Sequence, residues 1–138
     1  MTNFTKNLLI AAAALLATAG MAGAQTIKAE VPFGFRVAGK AMPAGAYTVS
    51  ASRLGGGSLV FRLSNDDSKH SVMTAPYARS SQKAGATDAW LAFQCSGEQC
   101  ALAQITPGSG ETYQVPQPKM SGEGTRLAVI HAVLLSAE

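Results

Sequence analysis

Between Ile27 and Val37 the chain alternates without a break. Ile27, Ala29, Val31, Phe33, Phe35 and Val37 are apolar, while Lys28, Glu30, Pro32, Gly34 and Arg36 occupy the positions between them. Successive side chains of a strand point to opposite faces, so this pattern buries one face and leaves the other in water; a helix would scatter the same residues around its axis. Pro32 has no N–H to give to a ladder, so this strand is either an edge or is broken in two there.

The same grammar continues downstream. Gly39-Lys40 and Met42-Pro43-Ala44-Gly45 read as turns, because proline presets φ and glycine accepts positive φ. Tyr47, Val49 and Ala51 then share a face, Gly55-Gly56-Gly57 breaks the chain, and Leu59, Phe61 and Leu63 share the next face. A polar turn over 64–68 leads to Val72, Met73 and Tyr77, with Pro76 near the end, and a polar connector covers about 80–87. After a Pro/Gly-interrupted stretch over 107–124, Leu127, Val129, Val133 and Leu135 alternate with Ala128, Ile130, Ala132 and Leu134. A run apolar on both faces suits a strand covered on both sides; a short helix also fits the periodicity, but β-branched residues and missing caps favour the strand. Seven or eight short strands predict an all-β fold, an antiparallel β-sandwich or, as the alternative, a small closed or partly open β-barrel.

Cys95 and Cys100 sharpen one hairpin. Leu91, Phe93 and Cys95 share a face before Ser96-Gly97-Glu98-Gln99, and Cys100, Leu102 and Gln104 resume it. If the cysteines face each other across the loop, Phe93 falls opposite Leu102, Leu91 opposite Gln104, and on the reverse face Gln94 opposite Ala101, Ala92 opposite Ala103 and Trp90 opposite Ile105. Opposed residues of a non-hydrogen-bonded antiparallel pair come close enough for a disulfide. The spacing is too wide for a catalytic C-x-x-C.

Of the 138 residues, 47% are hydrophobic, which is high for a chain with no membrane-length segment. Much of the excess sits at the start. Lys6 precedes an apolar run, Leu8 to Ala19, followed by small residues ending in Ala22-Gly23-Ala24. This is the form of a secretory signal peptide, residues 1–24, cleaved after Ala24; the run falls short of the roughly 20 residues that span a bilayer. Residues 25–138 are then expected to form one domain, periplasmic or extracellular, where an even pair of cysteines forms a disulfide.

The chemistry-bearing residues assemble into no reactive constellation. Gly34 to Lys40 matches half of a phosphate-binding loop but alternates as a strand and has Ala41 where Ser or Thr would hold magnesium. His131 falls in register with the apolar residues of its strand, which predicts a partly buried histidine with a local partner; His70, after a polar turn, is expected to be solvated. No spacing supplies zinc ligands, and Asn65-Asp66-Asp67 reads as a turn, not a calcium loop. There is no G-x-S-x-G, and the net charge of +3 is spread singly, which gives no support to nucleic acid or an anionic membrane as partner. The expectation is no catalytic residue, no metal and no cofactor. Trp90 and Tyr113 are the speculative binding pair, in a sugar-stacking platform that Tyr47 and Tyr77 could complete; the competing reading packs Trp90 in a second layer or beneath a loop.

The run Val31-Pro32-Phe33-Gly34-Phe35-Arg36-Val37-Ala38-Gly39-Lys40-Ala41-Met42-Pro43-Ala44-Gly45-Ala46-Tyr47-Thr48-Val49 resembles the opening of a group of small exported bacterial proteins, β-rich and of uncharacterised role, with a VPFxFxVxGKxxPAGxYTV segment after a signal peptide. The resemblance implies an exported β domain and carries over no activity or binding residue; the Cys95–Cys100 pair is not part of that pattern. The expected role is therefore non-catalytic: a cell-envelope structural or protein-interaction module, for which an exposed edge strand containing Pro32 is the candidate surface, with a glycan- or small-ligand-binding module as the alternative and a hydrolase as the least supported. The expected partners are a cell-envelope protein or a polysaccharide.

Overall fold

The computed structural model describes residues 26–67, 69–81, 88–118 and 124–135. The expected signal segment and its cleavage point at Ala24 lie outside them, as does most of the connector over 80–87. The described residues contain eleven strands and no helix: β1 (Thr26–Val31), β2 (Phe35–Val37), β3 (Lys40–Met42), β4 (Gly45–Arg53), β5 (Leu59–Asn65), β6 (Ser71–Thr74), β7 (Ala78–Ser81), β8 (Ala89–Ser96), β9 (Gln99–Pro107), β10 (Glu111–Gln114) and β11 (Arg126–Leu135). The all-β expectation holds. The strands form a single, nearly closed, barrel-like sheet in the order β3-β2-β9-β8-β11-β1-β4-β5-β6, with β10 joined to β9 and β7 joined to β10. The strand count exceeds the expected seven or eight because β2, β3, β7 and β10 are three or four residues long, too short for periodicity to reveal.

All pairs are antiparallel except β2 with β9, which run parallel around Arg36 and Ala101. β9 has one edge on β8. Its other edge is shared, first by β2 and then by β10, which pairs at Gln104 and Ile105. The free edges β3 and β6 approach each other, and the Lys40 ammonium donates to the Ser71 carbonyl at 3.0 Å.

Pro32 acts as the sequence implied, by breaking the first strand in two. It does not mark an edge. β1 lies between β4 and β11 and β2 between β3 and β9, so the exposed edge containing Pro32 is not present. Its ladder on β1 is complete to Val31, where Gly45 is the partner; a Cβ on Gly45 would stand 2.9 Å from the Asn65 side-chain nitrogen, so glycine permits this crossing. β2 turns into β3 through Ala38 and Gly39, both at positive φ (51° and 78°), the backbone of a tight two-residue hairpin.

The alternating residues converge as predicted. Ile27, Ala29, Val31, Phe35, Val37, Tyr47, Val49, Phe61, Leu63, Leu91, Phe93 and Leu102 form one buried core. Its centre is a run of edge-to-face rings: Phe33 on Phe93 at 5.1 Å, Phe93 on Phe35 at 5.0 Å, and Phe35 on Tyr47 at 5.1 Å. Each such pair adds about 0.5–1.5 kcal/mol beyond its buried area.

The disulfide Cys95–Cys100 is present, and Phe93 faces Leu102, Gln94 faces Ala101. Beyond that the register expected from sequence slips by one. A bulge at Ala103 puts Ala92 opposite Gln104, Leu91 opposite Ile105 and Trp90 opposite Thr106. The physical reason is long-range: the Ala103 carbonyl turns to accept the Val115 N–H at 3.0 Å. The slip pairs Leu91 with Ile105, two fully buried core residues, in place of a glutamine.

Candidate functional site

Two surfaces stand out from the core. The first is the outer face of β11. The strand is paired on both edges, to β8 and to β1, and its inward residues Ala128, Ile130 and Ala132 pack on the core. Outward, Leu127 is 57% exposed, Val129 45% and Val133 67%. The expectation of a strand covered on both faces is thus corrected: a sequence apolar on both sides does not say whether another layer exists, and here the outer side faces solvent. His131 lies on that same side and is exposed, not partly buried as its register implied. It faces Trp90 on β8, as Val129 faces Ala92 and Leu127 faces Gln94; Lys28 of β1 faces Val133. The result is an apolar strip interrupted by His131, with Gln94 at one end and Lys28 at the other.

The second surface is an open cleft of about 390 Å³ between the tip of the β4–β5 hairpin and the β6–β7 corner. Arg53, Ser58 and Leu59 form one wall; Pro76, Tyr77 and Arg79 form the other, and Tyr113 closes the floor. The geometry is fixed by four contacts. The Tyr77 N–H donates to the Gln114 carbonyl at 2.9 Å, which ties the corner to β10. The Tyr113 ring stands edge-on to Phe61 at 5.2 Å, and its hydroxyl donates to Glu111 Oε2 at 2.6 Å. The Arg53 guanidinium donates to the Gly57 carbonyl at 3.1 Å. Burial pushes the Tyr113 hydroxyl above its usual range, as does its acceptor Glu111, while the nearby Arg79 and Arg53 charges oppose the rise.

The structure does not bring the expected binding pair together. Trp90 is half-buried on the outer face of β8, whereas Tyr113 joins the core from β10 and reaches the cleft from inside. Thr106, opposite Trp90, is buried and its hydroxyl meets that of Thr112 at 3.0 Å.

The remaining candidates are absorbed by local structure. Asn65 Oδ1 accepts the Asp67 N–H, and Asp67 Oδ1 accepts the Lys69 N–H at 2.8 Å, the self-bonded geometry that makes Asx residues turn formers. The Lys69 amide, and after it the His70 ring 3.0 Å away, hold the Asp67 carboxyl below its usual range. Asp66 pairs with Lys28 at 3.1 Å. Among the described residues no group of three or more His, Cys, Asp or Glu is placed to hold a metal ion, and no helix is long and apolar enough to cross a membrane. Comparison of the chain with protein-family models, with curated proteins and with solved structures finds no match.

Sequence reasoning missed the cleft because its residues come from four separated segments and carry no local pattern. The signals present were the ring residues Tyr77 and Tyr113, named without a common location, and two arginines, Arg53 at the end of β4 and Arg79 near the start of β7.

Proposed function

We propose that this is an exported, non-catalytic interaction module, and that its working surface is the outer face of β11, used to join a second copy of the chain. The observation that carries the reading is the row Leu127, Val129 and Val133, exposed on a strand that already has partners on both edges. Exposed contiguous apolar surface marks interaction sites, and homodimer interfaces are the more apolar class. A second copy suits the strip's charge layout. A two-fold axis across its centre sets the Lys28 end of one copy against the Gln94 end of the other, which keeps the two Lys28 ammonium groups apart. Export is supported by the signal-like segment over 1–24 and by the disulfide.

Light scattering on the purified, oxidised domain tests the reading. The wild-type protein is expected as a dimer at micromolar concentration. Val129→Lys with Val133→Lys is expected to give a monomer with unchanged far-ultraviolet circular dichroism, because both side chains point outward and the added charges repel across the two-fold. A monomeric wild type, or a dimer that survives the double substitution, would overturn it.

A further inference from the structure

We infer that the cleft between the β4–β5 hairpin and the β6–β7 corner binds a small organic anion whose carboxylate is carried on a ring. The site is separate from the β11 face, so each reading can fail without the other.

Three features specify the ligand. The first is charge. Arg53 and Arg79 both line the cleft. Among the described residues the carboxylate paired with this cleft's arginines is Glu111, which takes the Tyr113 hydroxyl at 2.6 Å and stands 3.8 Å from Arg79, the long end of an ion pair. Arg53 has the Gly57 backbone carbonyl as its partner and no carboxylate among the described residues. Two guanidinium groups against one occupied carboxylate leave an excess positive charge, and guanidinium matches a carboxylate with two parallel N–H bonds.

The second feature is a flat apolar platform. Tyr77 is 68% exposed at the cleft wall, held there by its own N–H on Gln114 and by Pro76 before it. A tyrosine ring held in water beside cations offers its face to another ring, aromatic or pyranose, while Leu59 supplies the opposite apolar wall. The third is size. A volume of about 390 Å³ lies at the small end of ligand sites, which span roughly 300–1,000 Å³, and excludes an extended polymer as the filling group.

Calorimetric titration of the oxidised protein with glucuronate and with benzoate, each beside its uncharged counterpart, glucose or benzyl alcohol, and beside sodium sulfate, tests the inference. At least one ring carboxylate is expected to bind about tenfold or more tighter than its uncharged counterpart and than sulfate. Glucuronate alone identifies a sugar acid as the source, benzoate alone an aromatic acid. Arg53→Gln and Arg79→Gln are each expected to weaken binding about tenfold, and Tyr77→Ala to abolish the preference for the ring over sulfate. All three side chains are at the surface, and unchanged thermal melting confirms that each variant folds. Sulfate binding as tight as either ring acid, absence of binding by both acids, or undiminished binding in the arginine variants would overturn the proposal.

Discussion

The Lys40 ammonium and the Ser71 carbonyl meet at 3.0 Å across the gap that the described strands leave in the circuit, between β3 and β6. One side chain thus bridges two edges that no described backbone ladder joins. Lys40→Ala is expected to cost little, on the order of 0.5–1 kcal/mol, because the bond is exposed to water. The diagnostic change is local: amide exchange in β6 should accelerate while that of β1 stays unchanged. Equal exchange in wild type and variant would show that the bridge holds nothing.

Ala38 sits at φ 51°, a conformation that L residues other than Asn, Asp and His rarely adopt. Ala38→Asn is expected to raise stability by roughly 0.5–1 kcal/mol, since it suits the first central position of this hairpin type. A lowered denaturation midpoint would contradict the assignment of strain to this residue.

Phe93 is fully buried and touches the rings of both Phe33 and Phe35. Phe93→Ala should cost about 3–5 kcal/mol in urea unfolding, within the range for a large cavity at a core centre. Phe93→Leu keeps most of the volume and is expected to cost less than half as much. The cost of the alanine variant falling near that of an exposed substitution would place the centre of the core elsewhere.

Reducing the Cys95–Cys100 bond, or replacing both cysteines with alanine, is expected to lower stability by about 2 kcal/mol, the low end for a disulfide, because the loop it closes is short. The hairpin should persist, since Phe93–Leu102 and Leu91–Ile105 bury its inner face without help from sulfur. Loss of all β structure on reduction would show that the bond specifies the register and does not merely secure it.

Burial raises the Tyr47 hydroxyl above its usual value of 10.0, against an opposing hydrogen bond with Asn65, and burial raises Tyr113 in the same direction. A raised folded-state value means that the folded protein holds its proton longer than the unfolded chain. The stability tied to these tyrosines is therefore complete below about pH 10 and is lost as pH climbs through the folded-state values. Denaturant midpoints should be level from pH 8 to 9.5 and fall beyond it. Tyr47→Phe, which also loses the hydrogen bond to the Pro43 carbonyl, should be less stable at neutral pH and show a shallower alkaline decline.

The parts of the fold that were legible in the sequence are those governed by nearest neighbours. Alternation identified the inward faces of β1, β4, β5 and β8, Pro32 the break after β1, and the cysteines the register next to their loop. What was hidden depends on partners far along the chain. Nothing near Ala103 announces a bulge, because its cause is the amide of Val115. The single parallel bridge of Arg36 to Ala101 unites segments whose local patterns are independent. On β11 the local pattern is apolar on both sides, and only the arrangement of layers decides that Val133 meets water and Ile130 does not. The cleft was hidden for a similar reason: Arg53, Tyr77 and Tyr113 become neighbours only when β10 and the β6–β7 corner come together.

The position of β11 governs the order in which the molecule can be completed. It is the last strand described, yet it lies between β8 and β1 in the middle of the sheet. Until Arg126–Leu135 is in place, both neighbours present open backbone edges, and one of them is the first strand of the domain. Chains halted or clipped before Arg126 would therefore be two-edged templates, prone to pair with one another. Proteolytic nicking just ahead of β11, followed by loss of that strand, should make the domain aggregate even though most of its core residues remain.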